Sequence, residues 1–561
     1  MPRTEGRPVS RETFDYVIVG AGSAGCVLAN RLSESGKYSV LVLEYGASDR
    51  SIFIQMPSAL SIPMNMARFN WRYHTEPETH LNSRRIHTPR GKVLGGSSSI
   101  NGLVYVRGNA HDFARWEQQG AAGWSYPNVL PYFRRAESRL EGGDAYRGDR
   151  GPLKTRYGTL SNPLNAVWLA AAGEAGYLHT RDINGFQQEG FGRMDMTVEG
   201  GRRCSAANAY LRPAMRRANL TVRTAALATR IEFDGLRASA LHYRVGARHA
   251  AVGVGRELLI CGGPINSPQL LKLSGLGPAG ELREYGIPVQ KDLPGVGENL
   301  QDHLEFYFQV ACTQPVSLYS VLNPLSKALI GARWLMFKDG LGATNHFETC
   351  GFIRSAAGIP YPDIQFHFLP MAVAYDGNSL AREHGFQAHV GPMRSKSRGW
   401  VRLASADPLE QPRIRFNYMS HADDWSEMRA CVRLTREIFA QKAFDAYRGR
   451  ELKPGAAVQS DADIDAFIRD NVESAYHPSC TCKMGRRDDP MAVVDPETRV
   501  IGVDGLRVVD SSIMPSITNG NLNAPTIMLA EKAADHILGQ GLLPPSQAPF
   551  HTAPHWESTQ R

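Results

Sequence analysis

The stretch Asp15-Tyr-Val-Ile-Val-Gly20-Ala-Gly22-Ser-Ala-Gly25 constrains the fold of this chain more than any other. An apolar run ends directly in glycines and is followed by a helix-forming segment from about Ser23 to Ser35, so the pattern predicts a strand, a tight turn and a helix. A second apolar run, Ser39-Val-Leu-Val-Leu-Glu44, follows at the distance a parallel neighbour needs and completes a βαβ unit. Glycines at 20, 22 and 25 let backbone approach a pyrophosphate at the helix N-terminus, where free N–H groups and the helix dipole favour an anion. Glu44 closes the second strand, where a carboxylate accepts hydrogen bonds from ribose hydroxyls. The expectation is a Rossmann-like sheet that holds a dinucleotide through Gly20, Gly22, Ser23, Gly25 and Glu44. FAD and NAD share the adenosine diphosphate half, so this element does not choose between them.

With 561 residues the chain exceeds one simple core. An irregular stretch from Gly46 to Gly108, rich in Gly, Ser, Pro and Asn, is too long to be an idle loop. Short strands return over about 220–232 and 241–261, a turn and helix over 262–277, a strand at Ile364 to Phe368, and a helix from about Ser420 to Gln441. This order predicts an α/β protein with a Rossmann-like nucleotide-binding domain assembled from residues 13–155, 215–310 and 475–540. An α+β substrate-binding domain from 156–214 and 311–474 is inserted into it. A strand at Leu506 to Asp510 and a helix from Asn523 to Leu538 complete the first domain. Beyond Gly539 the chain turns to Pro, Gln, His and Ser, so 541–561 is expected to be a disordered tail.

Lys plus Arg number 63 against 55 Asp plus Glu, and the excess is spread without a basic block. That argues against nucleic-acid binding and leaves room for weak peripheral contact with an anionic membrane. No run of about 18 apolar residues exists, and Met1 to Glu12 lacks the apolar core of a secretory signal. The chain is therefore expected in the cytoplasm, or peripheral on the cytoplasmic face of the inner membrane, with no signal peptide or transmembrane helix. Eight irregularly spaced cysteines fit a reducing compartment. Cys480 and Cys482 lack a second pair at ligand spacing, so no metal is expected.

Three further segments occur in order: Arg90-Gly-Lys-Val-Leu-Gly-Gly-Ser-Ser-Ser-Ile-Asn-Gly102, Gly263-Pro-Ile-Asn-Ser-Pro-Gln-Leu-Leu-Lys-Leu-Ser-Gly-Leu-Gly-Pro278 and His477-Pro-Ser-Cys-Thr-Cys-Lys-Met-Gly485. Together they resemble the glucose-methanol-choline (GMC) oxidoreductases over roughly residues 13–540, and most closely the choline-oxidising members. The resemblance implies FAD, which makes the first domain an FAD-binding domain. It places Gly91, Val93, Gly95, Asn101, Gly102 and Val104 along the flavin, and brings Asp510 and Ser511 to the pyrophosphate. Some choline-oxidising relatives attach FAD covalently through a histidine at the position of Ile100; an isoleucine cannot form that bond, so FAD is expected to be noncovalent.

The resemblance implies oxidation of a primary alcohol, choline to betaine aldehyde and possibly on to glycine betaine, with electrons passed to a respiratory acceptor. His477 matches the catalytic histidine, the group that takes the alcohol proton while hydride leaves for the flavin. The second side chain at the reacting oxygen is expected to be Asn523, eight residues before Glu531, as a donor to the developing alkoxide. A plain helix-capping role for Asn523 is the alternative. A trimethylammonium head needs aromatic faces and a carboxylate. Glu348, in Asn345-His-Phe-Glu-Thr349, matches the acid of choline-oxidising relatives, and Tyr476 is the aromatic candidate. Glu348 could equally serve in a structural ion pair. A neutral aliphatic or aromatic alcohol is the second substrate reading, and a non-redox hydroxynitrile lyase on the same fold the third.

Overall fold

A computed structural model describes residues 11–373 and 383–561, so most of the segment read for a leader lies outside the described residues. The opening unit forms as its pattern requires: strand Thr13–Val19, helix Ser23–Ser33 and strand Val40–Leu43. These strands pair in parallel, and Leu220–Arg223 extends the sheet beside Val40–Leu43. On the other side lies the long strand Arg248–Ile260, parallel to Thr13–Val19. Its first half pairs with the antiparallel strand Arg237–Val245 and its end with Leu506–Val508. All four residues of Val40–Leu43 are buried, the mark of a strand covered on both faces.

The carboxy-terminal helix Asn523–Leu538 packs on Ser23–Ser33. A buried charge cluster pins the two: the Glu531 carboxylate accepts from Arg31 at 2.8 and 2.9 Å, from Arg135 at 2.8 Å and from the Tyr210 hydroxyl at 2.8 Å. Two guanidinium groups and a hydroxyl satisfy this carboxylate, which would otherwise be costly to bury. The cluster thereby fixes the loop before the helix, residues 519–522, against the glycine turn.

The second domain is built on a seven-stranded antiparallel sheet, with Arg448–Lys453, Leu304–Cys312, Gly385–Pro392, Ile364–Leu369, Thr349–Ile353 and Gly190–Arg193 in spatial order and Glu473–Ser474 paired to the start of Leu304–Cys312. Three of its strands alternate strictly. Phe306, Phe308, Val310, Ile364, Phe366, Phe368, Phe386, Ala388 and Val390 enter one apolar core. By the two-residue period, Glu305, Gln309, Gln365, His367, Gln387 and His389 are sent to the opposite face. That polar face looks toward the nucleotide domain.

Two expectations are corrected. The boundary at residue 310 falls inside Leu304–Cys312, a strand wholly of the second sheet; hydropathy marks the strand but not the sheet it joins. Residues 541–561 lie along the body rather than forming a free tail. Leu543 N–H donates to the Tyr132 hydroxyl at 3.0 Å, Tyr146 donates to the Pro549 carbonyl at 2.8 Å, and Arg354 donates to the Thr559 carbonyl at 2.6 Å. Composition reports the polarity of such a segment and not the surface groups that hold it. All eight cysteines are unbridged, and among the described residues no helix is long and apolar enough to cross a membrane.

Candidate active site

A cleft of about 330 Å³ lies at the carboxyl ends of the parallel strands. That volume falls at the lower end of the roughly 300–1000 Å³ typical of ligand pockets, and the lining runs from the glycine turn to His477. Gly20, Gly22, Ser23 and Glu44 line it. The helix Ser23–Ser33 has no side-chain cap at Gly22 and no acid in its first turn, so its free N–H groups face the cleft. Gly20 sits at φ +95°, and a Cβ on Gly25 would fall 1.9 Å from the Gly20 carbonyl oxygen. Gly25 therefore serves by letting helix and turn meet, not by lining the cleft. Glu44 accepts from Ala21 N–H at 2.9 Å and Gly46 N–H at 2.7 Å, and burial pushes its carboxyl up to about 7.

Gly91, Asn101, Gly102, Val104 and Ile100 line the middle of the cleft. Val93 and Gly95 do not. Val93 is buried in a small cluster with Ile54 and Phe69, and Gly95 donates its N–H to the Ala21 carbonyl at 2.7 Å. Gly95 thereby ties the segment to the glycine turn. Asp510 and Ser511 line the cleft, and the Asp510 carboxylate accepts from Gly263 N–H at 2.9 Å, Ser267 at 2.6 Å and Ser512 N–H at 2.8 Å.

At the far end stand His477, Asn521, His367, His389, Glu305 and Tyr476. The hydrogen bonds assign the His477 tautomer. The Met393 carbonyl can only accept, so His303 carries its proton on Nε2, 3.1 Å away. His303 Nδ1 is then an acceptor, and His477, 3.1 Å from it, must donate from its own Nδ1. The lone pair of His477 is left on Nε2, where the Asn521 amide donates at 3.0 Å. Burial holds the His477 imidazole well below its ordinary pKa, and His303 adds to the effect, so the ring is neutral and able to accept a proton. Asp302 fixes the backbone of both histidines: its Oδ1 accepts from His303 N–H at 2.9 Å and His477 N–H at 2.7 Å. Its Oδ2 takes the Tyr418 and Ser474 hydroxyls.

A second chain of bonds orients Glu305. Val373 N–H donates to Gln387 Oε1 at 2.8 Å, so Gln387 turns its amide N–H toward His389 Nε2, at 2.7 Å. His389 then donates from Nδ1 to Glu305 Oε1 at 3.1 Å. The glutamate stays an acceptor and faces the cleft.

Two sequence expectations change here. Asn523 does not reach His477; its Oδ1 accepts from Ser23 at 2.7 Å at the start of the last helix, and Asn521 takes the place beside the imidazole. Asn519, Asn521 and Asn523 recur every second residue, and only the backbone path decides which faces the histidine. Glu348 does not line the cleft. It is buried, accepting from Leu160 N–H at 2.6 Å and Thr344 at 2.9 Å, and it packs so closely on Gly158 that a Cβ there would lie 2.5 Å from its Cγ. Glu305 is a carboxylate that does line the cleft, and Tyr476 lines it too, its carbonyl held by Arg90. Asp302, His303, Glu305 and Asn521 were not singled out from sequence. The signal available for three of them is the run Gln301-Asp302-His303-Leu304-Glu305, which sets ionisable groups at the head of an aromatic strand.

A phosphate-binding turn at the end of a parallel sheet, joined to a neutral buried histidine under a second sheet, defines a dinucleotide-dependent oxidoreductase. The chain belongs to the GMC oxidoreductase family: the family's amino-terminal region matches residues 14–305 and its carboxy-terminal region 395–530. It is 58% identical to the oxygen-dependent choline dehydrogenase of Brucella anthropi over 98% of this chain and 100% of that one. The protein of the same name from Photobacterium profundum is also 58% identical, over 98% and 97%. Among solved structures, pyridoxine 4-oxidase from Mesorbium loti superposes with a TM-score of 0.85 at 30% identity, covering 94% of this chain and 99% of that one. An FAD-dependent oxidoreductase from Chaetomium thermophilum gives 0.85 at 27% identity, over 94% and 99%.

The family implies FAD, and the residues fit it: an uncapped helix N-terminus for the pyrophosphate, Glu44 for the ribose, and Gly91, Gly96, Ser97, Asn101 and Gly102 along the cleft. Gly25→Ala should leave purified protein with less than about a tenth of the wild-type flavin, because the added methyl has only backbone to displace. Visible absorbance per protein, with circular dichroism to verify the fold, measures this.

Proposed function

We propose that this enzyme oxidises choline to betaine aldehyde, and the aldehyde hydrate onward to glycine betaine. The observation that carries the reading is the pairing, in one cleft, of an oriented carboxylate at Glu305 with a neutral imidazole whose lone pair is on Nε2. The trimethylammonium head sits against Glu305 and the aromatic faces of Tyr476 and Phe347, since a quaternary ammonium has no N–H to donate. The hydroxyl lies between His477 and Asn521. His477 Nε2 takes the hydroxyl proton, while its Nδ1–H stays bonded to His303. Asn521 Nδ2 turns its N–H from the imidazole to the oxygen and stabilises the charge that develops there. FAD, when bound, accepts the hydrogen that leaves carbon as hydride. The hydrate of the aldehyde presents the same O–H and C–H pair to the same groups.

Ile100 lines the cleft at the position where covalent relatives carry histidine, so FAD is held noncovalently. The electrons of each turnover would leave bound FAD for a respiratory acceptor. Steady-state turnover with an artificial electron acceptor tests the substrate reading. Choline should be used with a kcat/KM at least about tenfold above that of its neutral tert-butyl analogue. Preference for the neutral alcohol would replace choline with an uncharged substrate.

A further inference from the structure

One charged group on the wall of the cleft takes no part in moving the proton. Arg90 lines the cleft together with Gly91 and Tyr476, and no other arginine or lysine among the described residues does so. The other charged lining groups are acids: Glu44, Glu305, Glu410 and Asp510. Burial holds the imidazoles of His477 and His367 below their ordinary pKa, and His389 is neutral because its Nε2 accepts from Gln387. Arg90 is therefore the one fixed positive charge on that wall.

The fold holds this residue closely. Its N–H donates to Asn70 Oδ1 at 3.0 Å, and its carbonyl accepts from Trp71 N–H at 2.9 Å. A guanidinium has five N–H donors, and those of Arg90 with partners go to carbonyls, Nε to Pro89 and Nη2 to Tyr476, the neighbour of the base. Asp302 is the acid whose charge it feels most, yet both Asp302 oxygens are already taken. One receives the N–H groups of His303 and His477, the other the hydroxyls of Tyr418 and Ser474. Burial pushes the guanidinium down to about 10, so Arg90 is still charged at neutral pH, and no carboxylate among the described residues is bonded to it. A buried charge without a bonded counter-ion costs stability. The hydride brings negative charge into the part of the cleft that Gly91, Asn101 and His477 bound, and a preorganised cation on the wall there stabilises it.

We propose that Arg90 sets the reduction potential of the bound FAD, its guanidinium favouring the negative charge that reduction leaves on the flavin. The same charge disfavours a proton on His477, so Arg90 promotes hydride transfer at the expense of the base. The inference holds whichever alcohol the enzyme oxidises. Reduction of the flavin-loaded full-length protein in equilibrium with a reference dye tests it without substrate. Arg90→Gln offers an uncharged N–H donor, and it should lower the two-electron reduction constant about tenfold or more, a fall of about 30 mV or more in midpoint potential. Arg90→Lys keeps the charge and should stay within roughly threefold of the wild type. Should Arg90→Gln fail to hold flavin, the wild type alone carries the test: its fully reduced flavin should keep the absorbance of the anion below the pH at which free reduced FAD takes up a proton. A wild-type potential in Arg90→Gln, an equal fall in Arg90→Lys, or protonation of the wild-type reduced flavin at the pH of free FAD would overturn the proposal. An unchanged potential with slower alcohol turnover would make Arg90 a support for the Tyr476 carbonyl and nothing more.

Discussion

Replacing His477 by alanine should slow reduction of the bound flavin by an alcohol about 100-fold or more, the usual cost of losing a general base, while flavin content stays near that of the wild type. The expectation rests on the proton inventory of the site. The Met393 carbonyl fixes His303, His303 fixes His477, and the lone pair left on His477 Nε2 meets the Asn521 amide at the cleft. No other described side chain offers an equivalent neutral nitrogen at that place: His367 is engaged with Gln365 and Asn521, and His389 directs its Nδ1 proton to Glu305. Stopped-flow absorbance on the His477→Ala protein reads the rate, and flavin released on denaturation reads the content. Loss of flavin with the rate per flavin preserved would make His477 a structural residue.

Glu305→Gln should raise the KM for choline about ten- to a hundredfold and leave the neutral tert-butyl analogue nearly unaffected, since removing one partner of a sheltered charge pair costs roughly 1.4 to 3 kcal/mol. The amide keeps an oxygen for the His389 N–H, so the sheet need not rearrange. Glu348→Gln separates the two acids. Glu348 receives Leu160 N–H and the Thr344 hydroxyl away from the cleft, so its substitution should lower thermal stability and treat the charged and neutral alcohols alike. A choline-specific defect in Glu348→Gln, with Glu305→Gln silent, would return the cation to Glu348.

The nucleotide half of the molecule was legible because its signals are local. A strand, three glycines, a helix and a terminal glutamate constrain one another within about thirty residues, and Gly25 is required by a backbone contact only five residues away. The substrate half was legible only as a pattern. Leu304–Cys312, Ile364–Leu369 and Gly385–Pro392 alternate visibly, but alternation does not tell which face meets the cleft. The answer lies in cross-strand register, where Tyr307 and His367 both stand opposite His389. Glu305 is therefore not legible in the sequence, whereas Glu348, directly before the strand Thr349–Ile353, carries the segment likeness. The Asn521 and Asn523 exchange has the same origin at smaller scale. Counting back from Glu531 gives the right loop, and the backbone path, left-handed at Gly520 and helical at Leu522, sends the three asparagines to different partners.

The most direct test of the account is to mix the yellow protein with choline in the absence of oxygen and follow the visible absorbance of the oxidised flavin. The structure predicts rapid bleaching by choline and much slower bleaching by its neutral tert-butyl analogue at equal concentration. Bleaching by the neutral alcohol, with the spectrum unchanged by choline, would keep His477 and the flavin chemistry but contradict the cation site at Glu305.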